Sequence, residues 1–306
     1  MYLLARGLYH LSLLAGVIFF AFLLFHAVPS DPARVALGVN ASEDQVARLR
    51  AELGLDRPLP VQFAAHLGRF VRLDLGRSFV DRRAVGPEVA SKLIVSLALL
   101  GMTLLLVVTY VVSIVALDIW TGGRLGAGLD FLWVSTPTMF SAVVVGLLSG
   151  RFWPFSRFSA TGDVGDLLYL LPPAFVLALY PMATLSRLAA SEIRRIDATP
   201  YIRTARALGL PERTVVGKYV LRNAAVPLLA ALANQLPILF TGAFVVEAVF
   251  SVPGLGSLLV RSLLQRDLPM LEGIVVVNTF VVLAVYLVVE AMYPLADPRI
   301  SLPDDR

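Results

Sequence analysis

Cysteine is absent from this 306-residue chain, so neither a disulfide framework nor a thiolate metal site can form. Charge is scarce as well: 16% of residues are Asp, Glu, Lys or Arg, against 58% hydrophobic. With a mean hydropathy of +0.78, a soluble domain of this length would expose far too much apolar surface. Chemistry-bearing motifs are missing too. There is no G-x-x-x-x-G-K-[ST] to cradle a phosphate, no H-E-x-x-H and no G-x-S-x-G. The histidines His10, His26 and His66 are scattered, and lone histidines of this kind are structural more often than ligands. A membrane-embedded hydrolase, a metal site and a nucleotide site on the chain itself are therefore not expected. The net charge of +4 comes from Arg dispersed among hydrophobic spans, which is not a nucleic-acid signal.

What is present is a succession of long apolar runs. About 20 apolar residues cross the hydrocarbon as a helix. Six runs qualify: Leu8–Val28, Ser91–Leu117, Leu129–Ser149, Leu167–Leu188, Pro227–Phe250 and Gly273–Pro294. The first is too long for the apolar core of a signal peptide, and no small-x-small cleavage site follows, so it is expected to stay as an anchor. Between Arg187 and Arg222, eight basic residues face only Glu192, Asp197 and Glu212. That surplus puts the segment in the cytoplasm, and six spans then put both termini there. The region Pro29–Ala90 falls outside. Its arginines do not contradict this, because long, charge-balanced segments translocate regardless of charge.

The external region reads as folded. Ser42 followed by Gln45 has capping-box spacing and opens a helix through Leu53, which Gly54 can end. Pro58 and Pro60 mark a turn, and a second amphipathic stretch runs from Gln62 to about Val71. It reads either as a docking lid or as a solvated loop packed on the helix tops, and nothing in it spaces like ligands. Prolines fall within the spans at Pro137, Pro172, Pro173, Pro181 and Pro237. Each tends to kink a helix, which suits a pathway that bends open but is also common in membrane helices. Asn234, Gln235, Thr241 and Asn278 are candidates for lining a pathway, with Thr103 and Tyr110 further intramembrane polar residues. Interhelical hydrogen bonding would explain such residues equally well. Glu247 and Glu290 are expected as interfacial carboxylates rather than as a proton relay.

One segment stands apart. Thr199–Ala225, TPYIRTARALGLPERTVVGKYVLRNAA, is a basic, amphipathic insert between two apolar spans. Thr199 is placed as an N-cap with Pro200 at the first helical position. Tyr201, Ala205 and Leu208 share a face, and Arg203 and Arg206 project from another. Gly209 ends this helix, Leu210-Pro211 follow, and a second short helix is expected from Glu212 towards Arg222. The small residues Ala205, Ala207 and Gly209 at the bend permit close approach of a partner. An ordinary loop is the plainer alternative.

The order of motifs resembles one family end to end. Arg203-Thr204-Ala205, three residues, then Gly209 occupies the place of the EAA-x-x-x-G loop of ATP-binding cassette importer permeases. The run YIRTARALGLPERTVVGKYVLRNAAVP is similar to the version in dipeptide, oligopeptide and nickel permeases. AVPSDPA at Ala27–Ala33, LGLDRPLPVQF at Leu53–Phe63, LDLGRSF at Leu73–Phe79, VVEAVFSVPGLG at Val245–Gly256 and Asp297-Pro298-Arg299 match further hallmarks. The early element and the long first external region look like the B-type member of the permease pair. The chain departs from the family at Arg203, Thr204, Leu208 and Tyr219, and in the short Gly150–Asp166 loop.

The resemblance implies an all-α integral membrane fold of the type I importer class, in the inner (plasma) membrane. It implies a transmembrane helix at 1–28, an external region at 29–88, a core at 89–294 with a coupling loop at 189–225, and a tail at 295–306. It implies no catalysis and no cofactor on this chain, with ATP and Mg used by partner ATPases. The implied partners are a paralogous C-type permease, two ABC ATPase subunits or domains, a solute-binding protein and the lipid bilayer. Tyr201, Arg203, Thr204, Ala205, Leu208, Gly209, Leu210 and Pro211 are the expected ATPase-coupling residues. Di- and oligopeptides are the expected cargo, with haem or nickel chelates as alternatives. An ATP-independent channel or secondary carrier is the competing class. It would need charge pairs within the membrane or inverted repeats, and neither is evident.

Overall fold

The computed structural model describes residues 9, 12–20, 22–23, 34, 37, 41–52, 54–72, 74–121, 135–152 and 164–296. Helices dominate: α1 Glu43–Glu52, α2 Leu59–Val71, α3 Val85–Thr121, α4 Thr138–Phe152, α5 Val164–Tyr169, α6 Leu171–Asp197, α7 Pro200–Ala207, α8 Glu212–Thr214, α9 Arg222–Phe250, α10 Leu255–Gln265 and α11 Leu268–Ala296. Among the described residues no strand forms beyond an isolated antiparallel bridge, Arg77 with Ala84.

Among the described residues, four helical runs are long and apolar enough to cross a bilayer: Val85–Ile119, Leu171–Asp197, Glu212–Phe250 and Leu268–Val288. These are the second, fourth, fifth and sixth predicted spans. Several overrun their predicted ends, because hydropathy marks the hydrocarbon while backbone hydrogen bonds continue past it. The first predicted span is described at residues 9, 12–20 and 22–23, all helical, and its remaining positions lie outside the described residues. The third is described over α4, a shorter apolar helix, and 129–134 lie outside. The hallmarks at Ala27–Ala33 and Asp297-Pro298-Arg299 also lie outside.

The chain divides into two compact units, Leu97–Val252 with Val285 onward, and the residues up to Ser96 with Pro253–Ala284. In the first, α6 packs against both α4 and α9. It is the most enclosed span, 61% buried over its most apolar stretch. Close packing is visible at Gly242 of α9, where an added Cβ would stand 3.2 Å from Leu177 of α6. Val107 of α3 completes a core with Ala178, Met182 and Leu185. The prolines divide differently from expectation. Pro137 precedes α4, and Pro172 and Pro173 sit in the first turn of α6. They start helices instead of interrupting them, since an initial residue has no intrahelical partner for its N–H. Pro181, Pro227 and Pro237 are inside their helices. Glu247 is wholly buried, 0% exposed, and is not the interfacial carboxylate expected.

In the second unit the Ser42 capping box forms: Ser42 N–H donates to Gln45 Oε1 at 3.1 Å, and Gln45 N–H to Ser42 Oγ at 3.4 Å. Gly54 takes φ +67 beyond the end of α1. α2 carries the second predicted amphipathic stretch and begins at Leu59. The loop after α2 is fastened to the turn before α11: Ser78 Oγ donates to Asp267 Oδ2 at 2.5 Å and Phe79 N–H to Asp267 Oδ1 at 3.1 Å. α10 has no counterpart in the sequence reading. Pro253 and Gly254 look like loop, yet Gly254 is the extended N-cap of this helix.

Candidate functional site

The bend after α6 is built from local rules. Thr199 is extended (φ −72, ψ 150) and Pro200 starts α7. The Thr199 hydroxyl does not cap α7. It donates back to the Ile196 carbonyl, and the backbone alone sets the entry. α7 closes as a Schellman motif: Gly209 N–H donates to Arg206 O at 2.9 Å and Leu210 N–H to Ala205 O at 3.3 Å. Gly209 has φ +77, a region that side chains with a Cβ avoid. A Cβ there would meet nothing within 4 Å, so backbone conformation, not crowding inside this chain, requires the glycine.

The second limb differs from the separate short helix expected. Pro211 is extended, α8 turns once, and the chain winds as a π-helix over Val215–Leu221 before entering α9 without a break. The limb is thus the end of a membrane-crossing helix. Wide π turns of this kind concentrate at functional sites.

Beneath the bend lies its own small core of Ile196, Ile202, Ala205, Val215, Val220 and Ala224, flanked by Ile193 and Tyr219. The buried stripe of α7 therefore runs through Ile202 and Ala205, not through Tyr201, Ala205 and Leu208. Ile202 is fully buried, while Tyr201 is 47% and Leu208 77% exposed. The core pulls the branched aliphatic inward and leaves the tyrosine on the flank. Ala205 is small because it packs under the bend.

Arg206 does not simply project. Its guanidinium donates to Asp197 Oδ1 at 2.6 Å, and to Glu212 Oε1 at 2.7 Å and Oε2 at 3.2 Å, joining the end of α6 to the start of the second limb. These bonds, to Glu212 first and then Asp197, raise the Arg206 pKa and keep it a firm cation. Sequence reading missed this clamp. Acidic residues on both sides of α7 were its visible signal. The outward tip is left with Tyr201, Arg203, Thr204, Leu208, Gly209, Leu210 and Pro211 exposed.

Of the pathway candidates, Asn234, Gln235 and Thr241 lie on α9 and Asn278 lies on α11. Asn234 and Thr241 are exposed on one face of α9, seven residues apart in the sequence. Thr241 Oγ1 donates to Pro237 O at 3.1 Å. Gln235 Oε1 and Asn278 Oδ1 are buried without a hydrogen-bond partner among the described residues, but they belong to different units. No group of three or more His, Cys, Asp or Glu that could hold a metal occurs among the described residues.

Residues 127–302 match the family described as binding-protein-dependent transport system inner membrane component, and residues 1–100 match its N-terminal component. A putative peptide transport system permease protein of Brucella abortus (strain 2308) is 36% identical over 295 residues, covering 91% of this chain and 92% of that protein. The glutathione transport system permease protein GsiC of Salmonella typhimurium (strain LT2) is 33% identical over 304 residues, 98% of each chain. This chain belongs to the family of binding-protein-dependent transport system inner membrane components, as the multi-pass permease subunit of an ATP-binding cassette importer whose ATP hydrolysis is done by partner subunits.

Proposed function

We propose that the tip around Gly209 is the seat of the ATPase and that the chain forms half of a peptide-translocating pathway. One observation carries the reading: an exposed apolar tip, Tyr201, Leu208 and Leu210, surrounds a bare Gly209 on a packed base that continues into α9. An ATPase closing on ATP pushes the tip. The core under α7 and the Arg206 clamp make the bend move as a body. The limb of α8, the π segment and α9 is one continuous helix, so the displacement reaches the membrane interior past Pro227 and Pro237. Helix hydrogen bonding is already interrupted at those prolines, and bending there is cheap.

The coupling residues are Tyr201, Arg203, Thr204, Leu208, Gly209, Leu210 and Pro211 at the surface, with Ala205 supporting them from below. The Arg surplus on this segment supports a cytoplasmic position for it and for both termini. Residues 29–88 then face the solute-binding protein, 89–294 form the translocating core, and a C-type paralogue supplies the other half. Asn234, Gln235, Thr241 and Asn278 are the polar residues offered to a passing solute. Di- and oligopeptides are the cargo, a reading supported by the peptide and glutathione permeases to which the chain is similar.

Gly209→Asp tests the seat. The assembled transporter should lose uptake and transport-coupled ATPase activity while the chain still inserts in the membrane. Normal uptake by this variant would refute the assignment. Competition of radiolabelled dipeptide uptake by unlabelled di- and oligopeptides tests the cargo separately, and failure of both to compete overturns it without touching the seat.

A further inference from the structure

The unit that contains α1, α2 and α10 encloses a cavity of about 560 Å³ that takes no part in the coupling just described. Arg57, Arg69, Arg77 and Arg82 line it, against only two carboxylates, Asp74 and Glu272. Both carboxylates are engaged. Asp74 Oδ1 accepts the Gly76 N–H at 3.0 Å, and Glu272 Oε1 lies 2.6 Å from His66 Nε2. Arg69 Nη2 stands 3.2 Å from His66 Nδ1. A guanidinium only donates, so Nδ1 accepts and the imidazole proton sits on Nε2, facing Glu272. The chain from Arg69 through His66 to Glu272 therefore ties the acid down inside the wall, where His66 is 8% exposed. Arg57 and Arg77 form no ion pair among the described residues.

The same cavity has an apolar side of Phe22, Val61 and Phe70. Phe22 lies within the first predicted span, six residues before its end, and Pro269 and Glu272, also in the wall, belong to the first turns of the membrane-crossing α11. The cavity thus opens where spans meet water. Arginines from three separate segments around one cavity suit a tetrahedral, multidentate oxyanion, and a greasy wall beside them suits an anion attached to hydrocarbon. We propose that this cavity is a phosphate-binding site whose ligand is the headgroup of an anionic phospholipid at the membrane boundary. Arg57 and Arg77 hold the phosphate oxygens, and Phe22, Val61 and Phe70 hold the adjoining glycerol and acyl carbons.

Native mass spectrometry of the full-length chain in detergent, loaded with phosphatidylglycerol, phosphatidylcholine or inorganic phosphate, tests the site. Phosphatidylglycerol should be retained over phosphatidylcholine. R57Q/R77Q should weaken its retention about 25-fold, the product of roughly fivefold per basic residue. R57K/R77K should keep most of the retention, and R48Q, on exposed α1 away from the cavity, should keep all of it. Equal retention by R57Q/R77Q and the unaltered chain overturns the site. Displacement of the lipid by equimolar inorganic phosphate overturns the lipid as its source in favour of a soluble anion. Loss of solute-binding-protein docking in R57Q/R77Q with lipid retention intact overturns it in favour of a protein-binding face.

Discussion

The bend around α7 and the unit that carries the cavity are both tied by polar side chains, but over very different lengths of chain. Arg206 reaches Asp197 and Glu212, nine and six residues away, and remains 36% exposed. Ser78 meets Asp267 across 189 residues and Ser96 accepts the Leu255 N–H across 159, with Ser78, Ser96 and Asp267 all buried. Short, solvated ties shape a segment whose ends are already near each other. Long-range ties must offset the entropy of closing a large loop, and burial strengthens them by excluding water. The first kind suits a part that has to move as a unit, and the second a part that has to stay closed.

Breaking a long-range tie should therefore cost most. Asp267→Ala leaves the Ser78 hydroxyl and the Phe79 N–H without their acceptor at a site 3% exposed, and should destabilise the protein by about 3 kcal/mol. Ser78→Ala should cost less, and the double variant less than the sum of the two singles, because they share one interaction. Thermal unfolding of the purified chain in detergent measures all three. Additive losses would show that Ser78 and Asp267 contribute independently and that the tie is not a closure. Gly273→Ala should follow at about 1–3 kcal/mol by the same measurement. Its new Cβ would stand 2.4 Å from Val85 Cγ1, where α11 meets the start of α3.

What could be read beforehand divides along the same line. The Gly209 stop, the Ser42–Gln45 cap and the Gly54 stop follow from hydrogen bonds spanning three to five residues, and the Pro200 start from its fixed φ, all of which a sequence displays directly. The apolar spans follow from composition. The Ser78–Asp267 pair could not be read, since nothing near either residue names its partner. The choice of Ile202 over Tyr201 for the buried face depended on Val215 and Val220, which meet it from the π segment. Arg206 lay between the two cases. Its acids were close in sequence, but which one it would take depended on the angle of the bend. Pro137, Pro172 and Pro173 misled because position within a helix, not presence in an apolar run, decides whether a proline interrupts it, whereas Pro181 and Pro237 lie inside their helices as expected.

A local tie inside the long-range unit sharpens the contrast. Ser42→Ala removes an N-cap acceptor and should loosen α1 by about 1 kcal/mol. Amide exchange over the first turn of α1 should quicken, while the unfolding midpoint should move far less than in Asp267→Ala. An equal fall in midpoint would mean that α1 also acts as a closure element.

The smallest shift in midpoint is expected from Arg206→Ala, and it is the most telling. Its bonds to Glu212 and Asp197 lie at the surface, where ion pairs contribute little to global stability. The core of Ile196, Ile202 and Val215 survives the change, so α7 should remain folded. What is lost is the strut between α6 and the second limb. Amide exchange across residues 199–211 should accelerate, and uptake by the assembled transporter should fall with the thermal midpoint nearly unmoved. Arg206→Lys, which keeps the charge but cannot fork between two acids, should recover only part of the uptake. If Arg206→Ala instead lowers the midpoint as far as Asp267→Ala does, the bend is a stability element like the buried ties, and the distinction between a part that moves and a part that closes fails.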